Sequence, residues 1–79
     1  MKTLQELRKS LGLSQSELAR AAQINLRTLQ EYENGRRSID SAHLQTLINL
    51  ADVLGVPFYN LISDDALREN LLNNINRGN

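Results

Sequence analysis

The chain has 79 residues, enough for one small domain, and it lacks cysteine, so neither a disulfide framework nor a thiolate metal site can reinforce a thin core. Aliphatic packing must supply that core, because aromatics are only 4% of the chain and Trp is absent; the scarcity of β-branched residues and of alternating runs argues against a sheet. Nine basic side chains balance nine acidic ones, but residues 1–37 hold seven basic against four acidic (net +3) and residues 38–79 hold two against five (net −3).

The first predicted helix covers about residues 2–11, where Leu4, Leu7 and Leu11 form one stripe facing a core. This amphipathic start is not a signal peptide, and no apolar run reaches the roughly 18 residues that span a bilayer. A cytoplasmic protein with no membrane partner is expected. Met1 and the polar tail NRGN are read as the ends of a complete chain. Gly12 ends the first helix, Leu13 turns inward, and Ser14 caps a second helix over about 15–22, with Glu17 completing a capping box. Leu18, Ala19 and Ala22 share its inner face, and the small Ala19 permits a close helix crossing. Asn25 caps a third helix that runs to about residue 34, with Leu29 and Tyr32 inward and Gly35 as terminator. Two helices this short cannot stand alone. Joined by about three residues around Ile24, they form a helix-turn-helix, whose second helix is presented outward.

A loop over 35–40 leads to a fourth helix, starting near Asp40 or Ser41 and carrying Leu44, Leu47, Leu50, Ala51 and Leu54 on a buried face before Gly55. Pro57 opens a short fifth helix through Ile62, with Phe58, Leu61 and Ile62 apolar. Ser63-Asp64-Asp65 caps a final amphipathic segment bearing Leu67, Leu71, Leu72 and Ile75. The expected fold is all-α: a compact bundle of five helices in a domain over 1–63, then a C-terminal helical segment over 64–79 that docks or dimerises. Phe58, Leu61, Leu67, Leu71 and Ile75 are the dimerisation candidates. His43 lies in the first turn of the fourth helix with no second histidine or cysteine nearby. No metal, cofactor or catalytic constellation is therefore expected.

The stretch LGLSQSELARAAQINLRTLQEYENG at 11–35, followed by LADVLGVPFYNLI at 50–62, resembles the phage repressor and Cro-type helix-turn-helix domains of bacterial regulators. The resemblance covers roughly residues 4–62. It implies a transcriptional regulator, expected to be a repressor, that binds double-stranded operator DNA as a homodimer with helix 3 in the major groove. Position by position, it implies base contacts at Asn25, Leu26, Arg27 and Glu31, with Thr28 and Gln30 flanking. Gln15, Asn34, Arg36 and Arg37 take the phosphate-contacting positions, and Arg8 with Glu33 an inter-helix ion pair. Arg27 is the strongest base-reading candidate, since its guanidinium matches guanine O6 and N7.

The sequence departs from the family pattern at three points. Gln23 stands where relatives place Gly, and a left-handed backbone there costs on the order of 1 kcal/mol. Leu26 and Glu31 replace polar or basic residues on the reading face, although leucine can meet a thymine methyl and glutamate a cytosine amine. The loop before helix 4, and that helix itself, look longer than in compact phage repressors, so no phosphate contact is carried beyond Arg37. Leu26 and Glu31, with zero net charge and the apolar C-terminal segment, motivate the alternative: an antitoxin or adaptor that uses the fold mainly to hold a protein partner.

Overall fold

The computed structural model describes residues 3–62, 69–70 and 72–73, and among these every regular element is helical. Helix α1 is Leu4–Ser10, α2 is Gln15–Ala21, α3 is Leu26–Asn34 and α4 is Leu44–Leu54. Single 3-10 turns occupy Ile39–Ser41 and Phe58–Leu61. Lys2, the 63–65 cap, Leu67, Leu71 and Ile75 lie outside the described residues.

Two of the N-caps are reciprocal. The Thr3 hydroxyl accepts from the Glu6 amide at 3.2 Å, and the Glu6 carboxylate accepts from the Thr3 amide at 3.0 Å. Ser14 and Glu17 repeat this at 3.0 and 2.8 Å. Each box satisfies amide donors that a helix start leaves open. The helix ends are built alike too. Gly12, Gln23, Gly35 and Gly55 all have positive φ, from 58° at Gln23 to 79° at Gly35. The next residue's amide then reaches back to the last turn: Leu13 to Arg8 O, Ile24 to Ala19 O, Arg36 to Glu31 O and Val56 to Ala51 O. This closes each helix and reverses the chain within two residues.

Leu18, Leu29, Leu50 and Ile62 are the fully buried large side chains, contributed by α2, α3, α4 and the residue after the second 3-10 turn. Leu4, Ala19, Ala22, Leu47, Ala51, Leu54 and Leu61 complete the buried core, and Ile24, Tyr32 and Phe58 pack against it. Helix α2 packs on both α3 and α4, α1 packs on α3, and α4 packs on the Phe58–Leu61 turn.

Five expectations need correction. The bundle has four α-helices among the described residues, not five. The chain after Pro57 makes only a four-residue 3-10 turn, because that tighter winding sets residues three apart over one another and so turns Phe58 and Leu61 toward the core together. Helix α4 starts at Leu44 rather than near Asp40. Ser38 instead caps the Ile39–Ser41 turn, and Ala42 and His43 are extended, which makes His43 the N-cap rather than a first-turn residue. Leu44 is consequently 57% exposed and off the buried face. Leu11 is 52% exposed, because α1 ends at Ser10 and the chain turns before that residue can continue the stripe.

Candidate nucleic-acid interface

The turn between α2 and α3 decides what α3 shows to solvent. Gln23 takes the left-handed conformation without glycine's freedom, and the Ile24 amide bonds to Ala19 O at 2.9 Å. Ile24 thereby lands against the core. Asn25 is extended, and its Oδ1 accepts from the Arg27 amide at 2.8 Å. That cap uses the side-chain oxygen of Asn25. Asn25, Leu26 and Arg27 are exposed, Thr28 is half-buried, and Leu29 is fully buried. The first turn of α3 therefore projects beyond the domain while its next residue pins it to the core.

The C-terminal end of α3 is held by a polar network. Arg8 Nε donates to Glu33 Oε2 at 2.7 Å and Arg8 Nη2 to Glu33 Oε1 at 2.9 Å, a bidentate pair joining α1 to α3. Arg8 Nη1 also donates to Leu13 O at 2.7 Å. The Glu33 side chain is 0% exposed and that of Arg8 is 9% exposed, so both charges are desolvated and depend on these partners. Burial pushes the Glu33 carboxyl up, but the hydrogen bonds from Arg8 and Gln15 and the charges of Arg8 and Lys9 outweigh it and hold its pKa below the usual carboxylate value. The hydrogen bond to Glu33 raises the Arg8 pKa despite burial.

Gln15 belongs to the same network. Its Nε2 donates to Glu33 Oε1 at 3.0 Å, and its Oε1 accepts from Gln30 Nε2 at 3.4 Å. The side chain read as a phosphate contact is thus engaged with α3, and Gln30, read as flanking the bases, is engaged with Gln15. Sequence reasoning missed this relay. Gln30 and Glu33 are three apart and visibly share a helix face, but only the crossing of α2 over α3 brings Gln15 to them.

Beyond Gly35 the chain exposes Asn34, Arg36 and Arg37. Arg37 is not free: its Nη2 and Nε lie 3.1 and 3.3 Å from Glu31 Oε1. Arg27 and Arg36 make no ion pair within 4 Å among the described residues. The Asn25, Leu26 and Arg27 turn, half-buried Glu31 and the Arg36-Arg37 loop follow one another along the outer side of α3. Of the dimerisation candidates, Leu61 is 6% exposed and committed to the core of its own chain, and Phe58 is half-buried against that core. Among the described residues no helix is long and apolar enough to cross a membrane.

The family model described as Helix-turn-helix matches residues 4–61. No curated protein and no solved structure matches the chain. The matched span contains α1 to α4 and both 3-10 turns, and with it the chain belongs to the Cro-type helix-turn-helix family of DNA-binding regulatory domains.

Proposed function

We propose that this protein is a sequence-specific transcriptional repressor that binds operator DNA as a homodimer and lays α3 in the major groove. The observation that carries this reading is the exposure of the first turn of α3, Asn25, Leu26 and Arg27, on a helix that buried Leu29 and the buried Arg8–Glu33 pair fix to the rest of the domain. A helix presented this way matches the geometry by which such domains reach base edges. Arg27 binds guanine through O6 and N7, worth about 1–3 kcal/mol of discrimination. Leu26 meets a thymine methyl, and the Asn25 amide donates to a base acceptor. Thr28 and Gln30 border this set.

Asn34, Arg36 and Arg37 contact phosphates, which position the domain without reading sequence. At Gln15 the backbone, rather than the engaged side chain, faces phosphate. Two copies place their α3 helices about 34 Å apart, one turn of DNA. The exposed part of Phe58 and the segment carrying Leu67, Leu71 and Ile75 supply the dimer contact. Occupancy of a promoter by such a dimer excludes polymerase, and this happens in the cytoplasm of a bacterial or phage-infected cell.

Selection of bound duplexes from random DNA, with sedimentation of the complex, tests the reading. The expected result is a two-fold symmetric site, one dimer per site, and affinity that falls steeply with salt. Absent or salt-independent binding overturns it. A second reading, an antitoxin or adaptor, draws on the 37% exposure of Leu26 and the acidic Glu31 on the same helix. Recovery of a stoichiometric protein partner, with no DNA selected, favours that one.

A further inference from the structure

Glu31 makes more connections to the basic loop than a base-reading side chain requires. Its backbone carbonyl accepts from the amides of Arg36 at 3.0 Å and Arg37 at 3.2 Å. Its carboxylate accepts from Arg37 Nη2 at 3.1 Å and Nε at 3.3 Å. One residue of α3 thus holds both the main chain and the side chain of Arg37. Gly35, at φ 79°, supplies the reversal that folds the loop back onto α3. Side-chain exposures of 53% for Arg37 and 27% for Glu31 leave the pair open to an approaching anion. Arg36, one residue earlier, makes no such pair among the described residues.

A guanidinium fork fits a carboxylate or a phosphate through the same two donors, so the two ligands compete for it. We propose that Glu31 is a positioning residue that occupies Arg37 in the free protein, so that a duplex must displace a carboxylate before Arg37 becomes a phosphate contact. Non-operator DNA, which offers only backbone, is held off by this exchange. Operator DNA compensates through the contacts of Asn25, Leu26 and Arg27. Glu31 thereby raises the ratio of specific to non-specific binding without touching a base. This inference rests on the DNA-binding reading above.

The test is binding of a random-sequence duplex across a salt series by four proteins: wild type, Glu31→Gln, Arg37→Ala and the double variant. Exposed ion pairs are weak enough that Glu31→Gln should tighten non-specific binding only about two- to five-fold. It should also steepen the salt dependence by up to about 0.9 in the log–log slope, one more phosphate neutralised. In the Arg37→Ala background the same substitution should change neither quantity. An equal gain in both backgrounds overturns the proposal, because Glu31 then acts as a bare charge. A changed base preference at one operator position, with non-specific binding unaltered, also overturns it and makes Glu31 a base reader.

Failure of the wild type to bind any duplex refutes the DNA-binding reading instead. The pair itself is then decided without DNA, by the Arg37 Nε–H resonance of the free protein. That signal is expected shifted and protected in wild type and coil-like in Glu31→Gln; a coil-like signal in wild type overturns the proposal. Both side chains are on the surface, and thermal unfolding of each variant confirms that it is folded.

Discussion

Replacing Glu33 with leucine should be among the most damaging single changes in this chain. The substitution removes an acceptor that takes hydrogen bonds from Arg8 Nε at 2.7 Å, Arg8 Nη2 at 2.9 Å and Gln15 Nε2 at 3.0 Å. It leaves a guanidinium whose side chain is 9% exposed and whose remaining partner is Leu13 O. Breaking a buried pair from one side costs about 3–5 kcal/mol. A domain of this size has only about 4–12 kcal/mol in total, at roughly 0.05–0.15 per residue. Glu33→Leu should therefore bring the protein close to its unfolding threshold. The double variant Arg8→Met, Glu33→Leu removes both charges and should recover to within about 1.5 kcal/mol of wild type.

Urea unfolding followed by far-UV circular dichroism measures all four corners of this cycle. A single-variant loss below about 1 kcal/mol, or a double variant as unstable as the sum of the singles, would refute the argument that the pair is desolvated and mutually dependent. pH supplies a second readout. The Glu33 pKa is lowered in the folded state, so its contribution to stability is complete above the unfolded value of about 4.3 and is lost as pH falls through the folded value. In Arg8→Met, burial acts on Glu33 with far less opposition, so its pKa should rise above the unfolded value. The Glu33 contribution then reverses sign: it is present in acid and lost as pH rises through the new folded value.

Three further outcomes follow from local geometry. Gln23→Gly should stabilise the domain by about 1 kcal/mol, because Gln23 holds φ 58° without glycine's freedom; a lower melting temperature would contradict this. Ser14→Ala should cost about 1 kcal/mol, and an NMR titration should show the Glu17 pKa still below its ordinary value but raised from wild type, since the residue-14 amide that donates to its carboxylate at 2.8 Å is kept and only the smaller contribution of the hydroxyl is lost. Leu11→Gln should change stability by no more than about 0.5 kcal/mol, as expected for a surface position, whereas the same change at buried Leu18 should unfold the protein; thermal unfolding of the pair checks it.

Helix boundaries were readable wherever local chemistry sets them. Ser14 with Glu17, Asn25, Gly12, Gly35 and Gly55 each act on backbone groups within a few residues, so their roles follow from spacing alone. The Thr3–Glu6 box carried the same signal as Ser14–Glu17 and was available from the same spacing. The Leu47, Leu50, Ala51 and Leu54 face was equally plain, since helical period identifies a stripe before its partner is known. Periodicity overreached at Leu11 and Leu44. Each continues a stripe in the linear sequence, but the helix beneath it has already ended or has only begun. The 3-10 winding after Pro57 has no signature in local propensity, because it goes with the packing of Phe58 and Leu61 into the core.

The amino-acid sequence by itself determined the helical class, the cap and terminator of α2 and α3, and the outward turn at Asn25, Leu26 and Arg27. These depend on interactions between residues close in the chain. Only the tertiary structure decided which polar side chains are spent inside the protein and which remain for a partner. Gln15 is tied to Glu33 and Gln30 because α2 crosses α3, and Arg37 is tied to Glu31 because the chain reverses at Gly35. Hydrogen bonds between separated segments are specified by the packing of the helices that carry them, so a residue's type and position did not reveal that its donor or acceptor was already engaged.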